Sequence, residues 1–199
     1  MLHRGPSWFV VTGLLMVLPA LAEAAPSIVL PRPGQVGIGM QGQFGLLTKT
    51  GDYGDLFDSG PGLTVRLRYR MRYERAIGLS FEGQQFDSRV AGVAGDTTLA
   101  RLTLIMSGVE IYQLFDTQDR TTRLLSVGAG LAQASAKLND NESVFPDDGV
   151  YLSAGAGVER FFWSSWAFDF SARYYAIFQH HKTNHDFQAS AGMIFYASY

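Results

Sequence analysis

From Leu63 to Tyr73 every second residue is apolar, and the residues between are Thr64, Arg66, Arg68, Arg70 and Arg72. A helix would scatter those arginines around its circumference. A strand, whose side chains alternate between two faces, gathers them into one row. The same rhythm runs through most of the chain. Val36, Ile38, Met40, Phe44 and Leu46 share a face with Gly42, opposite Gln35, Gly37, Gly39, Gln41, Gln43 and Gly45. Ile77, Leu79 and Phe81 oppose Gly78, Ser80 and Glu82. Ala100, Leu102, Leu104 and Met106 oppose Arg101, Thr103 and Ser107. A phase slip is expected near Ser107-Gly108, where a glycine bulge would turn Val109 and Ile111 to the apolar side. Further apolar faces run Leu125–Leu131, Leu152–Val158, Phe168–Phe178 and Phe187–Tyr199, each opposed by small or polar residues. The count is about eight strands, the even number that a bacterial up-and-down barrel requires.

The connections sort by length. Long polar ones are expected at Thr48–Pro61, Asp87–Thr97, Ser135–Gly149 and Gln179–Asp186, and short ones at Glu74-Arg75, Asp116–Thr121 and Phe162–Ser165. They alternate along the chain, so all long connections fall at one barrel end. Outer-membrane barrels have long extracellular loops and short periplasmic turns.

The N-terminus carries Arg4 ahead of an uncharged run from Trp8 to Leu21, then Ala20, Ala22 and Ala24 at small-residue spacing. This is the order of a secretory signal peptide, and the run is shorter than the ~20 residues of a spanning helix. The expected division is a signal peptide over 1–24, a proline-containing periplasmic leader over 25–34 and a barrel over 35–199. Nothing in the mature part is apolar for long enough to cross a bilayer as a helix. A membrane protein without such a run must be a closed barrel, because only that alternative pairs every backbone group in lipid.

Alternation leaves open whether the apolar face meets lipid or an interior, as it would in a soluble barrel of lipocalin type. The polar face decides. Lys49, Lys137 and Lys182 all fall in expected loops, while the polar strand faces hold glycine, serine, alanine, glutamine and a few charges. Small residues suit the filled interior of a narrow barrel. The apolar face is therefore the lipid belt, with Arg160 near a short turn able to snorkel to the headgroups. Phe161, Phe162, Trp163 and Trp166 cluster at that turn, with Tyr73, Tyr112 and Tyr199 near the same edge, where amphipathic rings gather at headgroup level. The absence of cysteine excludes disulfides and thiolate chemistry, and a net charge of −2 gives no footprint for nucleic acid.

On these features the chain resembles the small bacterial outer-membrane β-barrel family of OmpA-, OmpX- and OmpW-like proteins. The resemblance rests on the repeated barrel pattern over Gly34–Tyr199, on Val127-Gly128-Ala129-Gly130-Leu131 and Gly155-Ala156-Gly157-Val158-Glu159, and on a last strand ending in aromatic Tyr199. It implies an all-β fold, an eight-stranded antiparallel transmembrane barrel, recognised through its last strand by the barrel-assembly machinery. Its partners would be outer-membrane lipids and lipopolysaccharide, and it would be a monomer. A peptidoglycan-binding domain of the OmpA kind is not expected after the barrel.

The interior would hold Arg66, Arg68, Arg70, Arg72, Arg101 and Arg173 with Glu82, Glu159, Asp169 and, as a further candidate, Glu110. Charges in a narrow barrel are costly unless paired, so these residues are expected to form a network that plugs the lumen rather than an anion-selective ring. Neither a catalytic residue, a metal nor a cofactor is expected. His180, His181, His185 and Asp186 lack the rigid spacing of a metal site. Ser190 follows His185 without the His-x-Ser arrangement of lipid A deacylases. Asp52, Asp55, Asp58, Asp140, Glu142, Asp147 and Asp148 read as solvated loop residues. The function expected is a non-enzymatic structural or surface-interaction role; the alternatives are a narrow OmpW-like channel for small solutes and a lipid A-modifying enzyme. A barrel folded in an outer-membrane fraction should run at different apparent masses on gels with and without boiling; identical migration would count against it.

Overall fold

The computed structural model describes residues 31–49, 52–88, 99–138, 143–179 and 183–197. The expected signal peptide and the leader up to residue 30 lie outside this set, as do Tyr199, His180 and His181. The strands are β1 (Val36–Leu47), β2 (Ser59–Arg72), β3 (Arg75–Asp87), β4 (Leu99–Phe115), β5 (Thr121–Leu138), β6 (Ser143–Phe161), β7 (Trp166–Phe178) and β8 (Thr183–Ala197). Each pairs antiparallel with its neighbours, and β1 pairs with β8 to close the barrel. Closure leaves no sheet edge, so the ladder satisfies the strand backbones without water.

The wall is apolar outside and polar inside. Ile38, Met40 and Phe44 of β1 are at least half exposed, as are Val127 and Leu131 of β5. Gln41, Gln43 and Thr64 are buried, with Arg66, Arg68 and Arg70. No helix of the described residues is long and apolar enough to cross a membrane; the crossing is made by strands.

β4 corrects one expectation. Its pairing with β3 runs without a shift from Arg75↔Gln113 to Asp87↔Arg101, and its pairing with β5 shifts only between Leu99 and Arg101. There is no bulge at Ser107-Gly108. The alternation therefore keeps one phase, and Leu102, Leu104 and Met106 point inward, almost fully buried. The polarity code inverts instead. On the upper wall Gln85 of β3, Thr103 of β4 and Ser135 of β5 take outward positions, while Phe86, Leu102 and Ala134 turn inward. The three inversions align across the register, Gln85 opposite Thr103 and Thr103 opposite Ser135. That line marks where the wall leaves hydrocarbon and its outside meets water or headgroups.

The two later long connections are shorter than expected, because β5 and β6 continue to Leu138 and from Ser143, and β8 starts at Thr183. β4, β5 and β6 have 17, 18 and 19 residues. A tilted strand spans a bilayer in about 9–11, so this side of the barrel stands above the membrane. The first connection carries a short helix, α1 (Asp52–Leu56), and then turns Phe57 into the mouth, where it is buried and bridges to Ser88. Gly108 faces Gly130 in close packing, and a Cβ on Gly130 would fall 2.2 Å from the Ser107 carbonyl and 2.7 Å from the Tyr151 ring.

Val127 faces lipid on a central stretch of β5. Val127→Arg should cost about 2–4 kcal/mol of folding free energy in liposomes, read from urea titrations.

Candidate functional site: the barrel lumen

β2 places Arg66, Arg68 and Arg70 on one inward row, for the reason legible in its alternation. β7 adds Arg173 from the opposite wall. Their carboxylate partners come from four other positions: Glu82 on β3, Glu110 on β4, Glu159 on β6 and Asp169 on β7. Arg68 donates to Glu159 through Nη1 and to Asp169 through Nη2 at 3.2 Å. Arg70 reaches the second oxygen of Glu159 at 3.0 Å. Arg173 is bonded to Glu110. Arg66 lies 3.5 Å from Glu82 and 3.8 Å from Glu110. Four guanidinium groups thus meet four carboxylates, all essentially removed from solvent.

Three tyrosines complete the network. Tyr175 donates to Glu82 at 2.9 Å, Tyr196 to Glu159 at 2.9 Å, and Tyr112 to Glu110. The Arg68 guanidinium sits 4.2 Å from the centre of the Tyr112 ring, and Arg70 lies 5.0 Å from that of Tyr196. Each ring therefore offers a cation its face and an anion its hydroxyl, which lowers the cost of burying both.

Glutamine and serine side chains sit among and above the charges. Gln188 donates to Gln84 at 2.9 Å and to the buried carboxylate of Asp186 at 2.8 Å, and Ser190 bonds Ser171 at 2.7 Å. Apolar layers close both ends. Towards the loops, Phe57, Phe86, Leu102, Leu104, Met106 and Ile177 pack with Tyr151 and Tyr175. Towards the turns, Ala76, Leu114 and Leu124 pack with Tyr112, and Phe161, Ala167 and Ile194 with Tyr196.

Of the residues expected in the network, Arg66, Arg68, Arg70, Glu82, Glu159, Asp169 and Arg173 are brought together with Glu110. Arg72 and Arg101 are not. Arg72 is exposed beside the β2–β3 turn, where the ladder shifts after Arg70, and it stands opposite Arg75. Arg101 is exposed on the upper wall, 3.8 Å from Asp87. Among the expected interface aromatics, Trp163 and Trp166 are exposed. Phe161 is not; it shares the inward phase of Glu159 and packs 5.9 Å from Tyr196. Tyr112 likewise lies inside. Tyr112, Tyr175 and Tyr196 were missed as members of the network, although Tyr175 shares a strand face with Asp169 and Arg173. His185 points to the outer face and bonds Tyr174 at 2.5 Å, while Asp186 and Ser190 point inward, so His185 meets neither across the wall.

With this geometry in place, residues 10–195 match the model of the outer membrane protein beta-barrel domain. The chain belongs to that family. It is a protein of the bacterial outer membrane, crossing it with its strands. No curated protein matches the sequence. Among solved structures, neisserial surface protein A is similar at a TM-score of 0.62 and 18% identity, covering 80% of this chain and 96% of that one. OprG of Pseudomonas aeruginosa is similar at 0.61 and 11%, covering 86% and 100%. Ail, the attachment invasion locus protein of Yersinia pestis, is similar at 0.52 and 15%, covering 82% and 99%, and has also been solved with the heparin analogue sucrose octasulfate. These likenesses are of fold.

Glu159 serves two arginines. Glu159→Ala should lower stability by about 3–5 kcal/mol, because it leaves buried positive charge without its partner. Arg101→Ala, which removes an exposed pair, should change it by less than about 1 kcal/mol. Urea unfolding in detergent or lipid, followed by tryptophan fluorescence, separates the two.

Proposed function

We propose that this chain is a non-enzymatic barrel with a side-chain-plugged lumen, acting as a structural element of the outer membrane that presents a surface on its loop side. One observation carries the reading: four arginines and four carboxylates are cross-linked across the full width of the lumen, between apolar layers at both ends. A conducting path needs sites that an ion can enter and leave. Here four arginines are matched by four carboxylates, and the mouth packs Phe57 and Phe86 beside the buried Asn184 and Asp186. The raised wall of β4–β6 offers the surface. Its surroundings are acidic, through Asp55, Asp58, Asp87 and Asp148 among others, which is the wrong sign for a polyanion of the heparin type.

In this reading the segment 1–24 is removed on export, the last strand serves assembly, and the barrel works as a monomer among lipids and lipopolysaccharide. Planar-bilayer recording of the purified, folded protein should give no steady conductance. A stable, solute-dependent conductance would overturn the plug in favour of a narrow channel. A change in lipid A mass on expression would overturn the non-enzymatic reading.

A further inference from the structure

The charges outside the lumen are distributed unequally between the two ends. The turn end carries Arg32, Arg72, Arg75, Arg120, Arg123 and Arg160 against only Glu74, Asp116 and Asp119. In the sequence of the long connections and the strand ends beside them this is reversed, with acids outnumbering Lys49, Arg89, Arg101, Lys137 and Lys182. The turn end is also where exposed Trp163 and Trp166 lie beside Phe162 and Phe168, an aromatic girdle that fixes this rim at headgroup depth.

The arginines there are placed against one another. Arg72 stands opposite Arg75 across the β2–β3 hairpin. Thr121 stands opposite Arg160 and Arg123 opposite Val158, which makes Arg123 and Arg160 diagonal neighbours on the outward face of β5 and β6. Diagonal side chains start about 7–8 Å apart, within reach of one shared anion. Arg123 has one acid, Asp116 at 3.1 Å, and Arg160 has only the Thr121 hydroxyl at 2.5 Å. Among the described residues Arg72, Arg75 and Arg160 make no ion pair. Like charges on adjacent strands repel unless an anion lies between them, and guanidinium forks match phosphate oxygens in shape as well as charge.

We infer that this rim is a seat for anionic phospholipid of the periplasmic leaflet, with Arg123 and Arg160 sharing one headgroup phosphate and the Trp163–Trp166 turn packing against its glycerol and upper acyl chains. The occupant is a membrane lipid rather than a soluble phosphate, because Arg123 projects outward on the turn side of exposed Leu125 and Arg160 stands opposite exposed Phe168. The seat holds the barrel at one depth and one orientation, since acids outnumber cations in the sequence of the loop end.

The full chain, folded in detergent, is incubated with equal amounts of phosphatidylglycerol and phosphatidylcholine of the same acyl chains, and retained lipid is weighed by native mass spectrometry. Phosphatidylglycerol should be retained in preference. Arg123→Gln and Arg160→Gln should each reduce its retention about fivefold, and the double variant should lose the preference. Arg101→Gln, with the same net-charge change at the loop end, should leave it intact. Unboiled gel migration checks that every variant is folded, and the single variants give the reading if the double one does not fold. Equal retention of both lipids by the unaltered protein, a preference that survives in folded R123Q and R160Q, or an equal loss in R101Q would each overturn the proposal.

Discussion

Hydrocarbon offers no partner to a backbone N–H or C=O, and this constraint governs the rest of the molecule. It forces the strands into a closed ring, with β1 returning to β8. Eight strands make a ring only wide enough for side chains to fill. The inward row of arginines on β2 is then buried among the other side chains that this ring encloses. It occupies the core of the protein, and every other inward residue must accommodate it.

That accommodation is local and nearly complete in charge. Glu159 takes Arg68 and Arg70, Glu110 takes Arg173 and approaches Arg66, and Asp169 shares Arg68. Burying an ion pair costs desolvation that attraction alone need not repay. Here Tyr112 and Tyr196 contribute both a hydroxyl for the carboxylate and a ring for the guanidinium, and Tyr175 contributes its hydroxyl. Apolar layers pack above and below, and in such low-dielectric surroundings the attraction between charges is stronger and each of them is harder to remove. A lumen filled with leucine would also exclude water, but it would not dictate which strand faces which across the ring.

Strand number, the sorting of short turns, the outward lipid belt and most of the charged core were all legible in a two-residue period. Its failures share one cause. The period gives the face of a residue but not its height, and polarity has different meanings at different heights. Arg101 looked inward because it alternates with Leu102, yet above the hydrocarbon the polar residue is the outer one. Phe161 looked interfacial because it neighbours Trp163, although Glu159 and outward Arg160 already fixed its phase. Arg72 continues the row of Arg70, but the ladder shifts before it and leaves it at the rim. The expected bulge at Ser107-Gly108 arose from the same assumption that an apolar residue must face lipid. Tyr112 and Tyr196 could have been placed by counting from Glu110 and Ser190; their bonds to carboxylates on other strands could not.

The pairing of β2 with β6 and β7 has a consequence for how the protein reaches its final form. Arg68 and its partners Glu159 and Asp169 lie 91 and 101 residues apart in the chain. No hairpin of neighbours contains both sides. A growing sheet made of the first four strands would carry three of the four cations beside only two of the four acids, and the count balances only once β6 brings Glu159. An unfinished barrel is thereby penalised by its own uncompensated charge, and the finished one is distinguished from it by electrostatics as well as by shape.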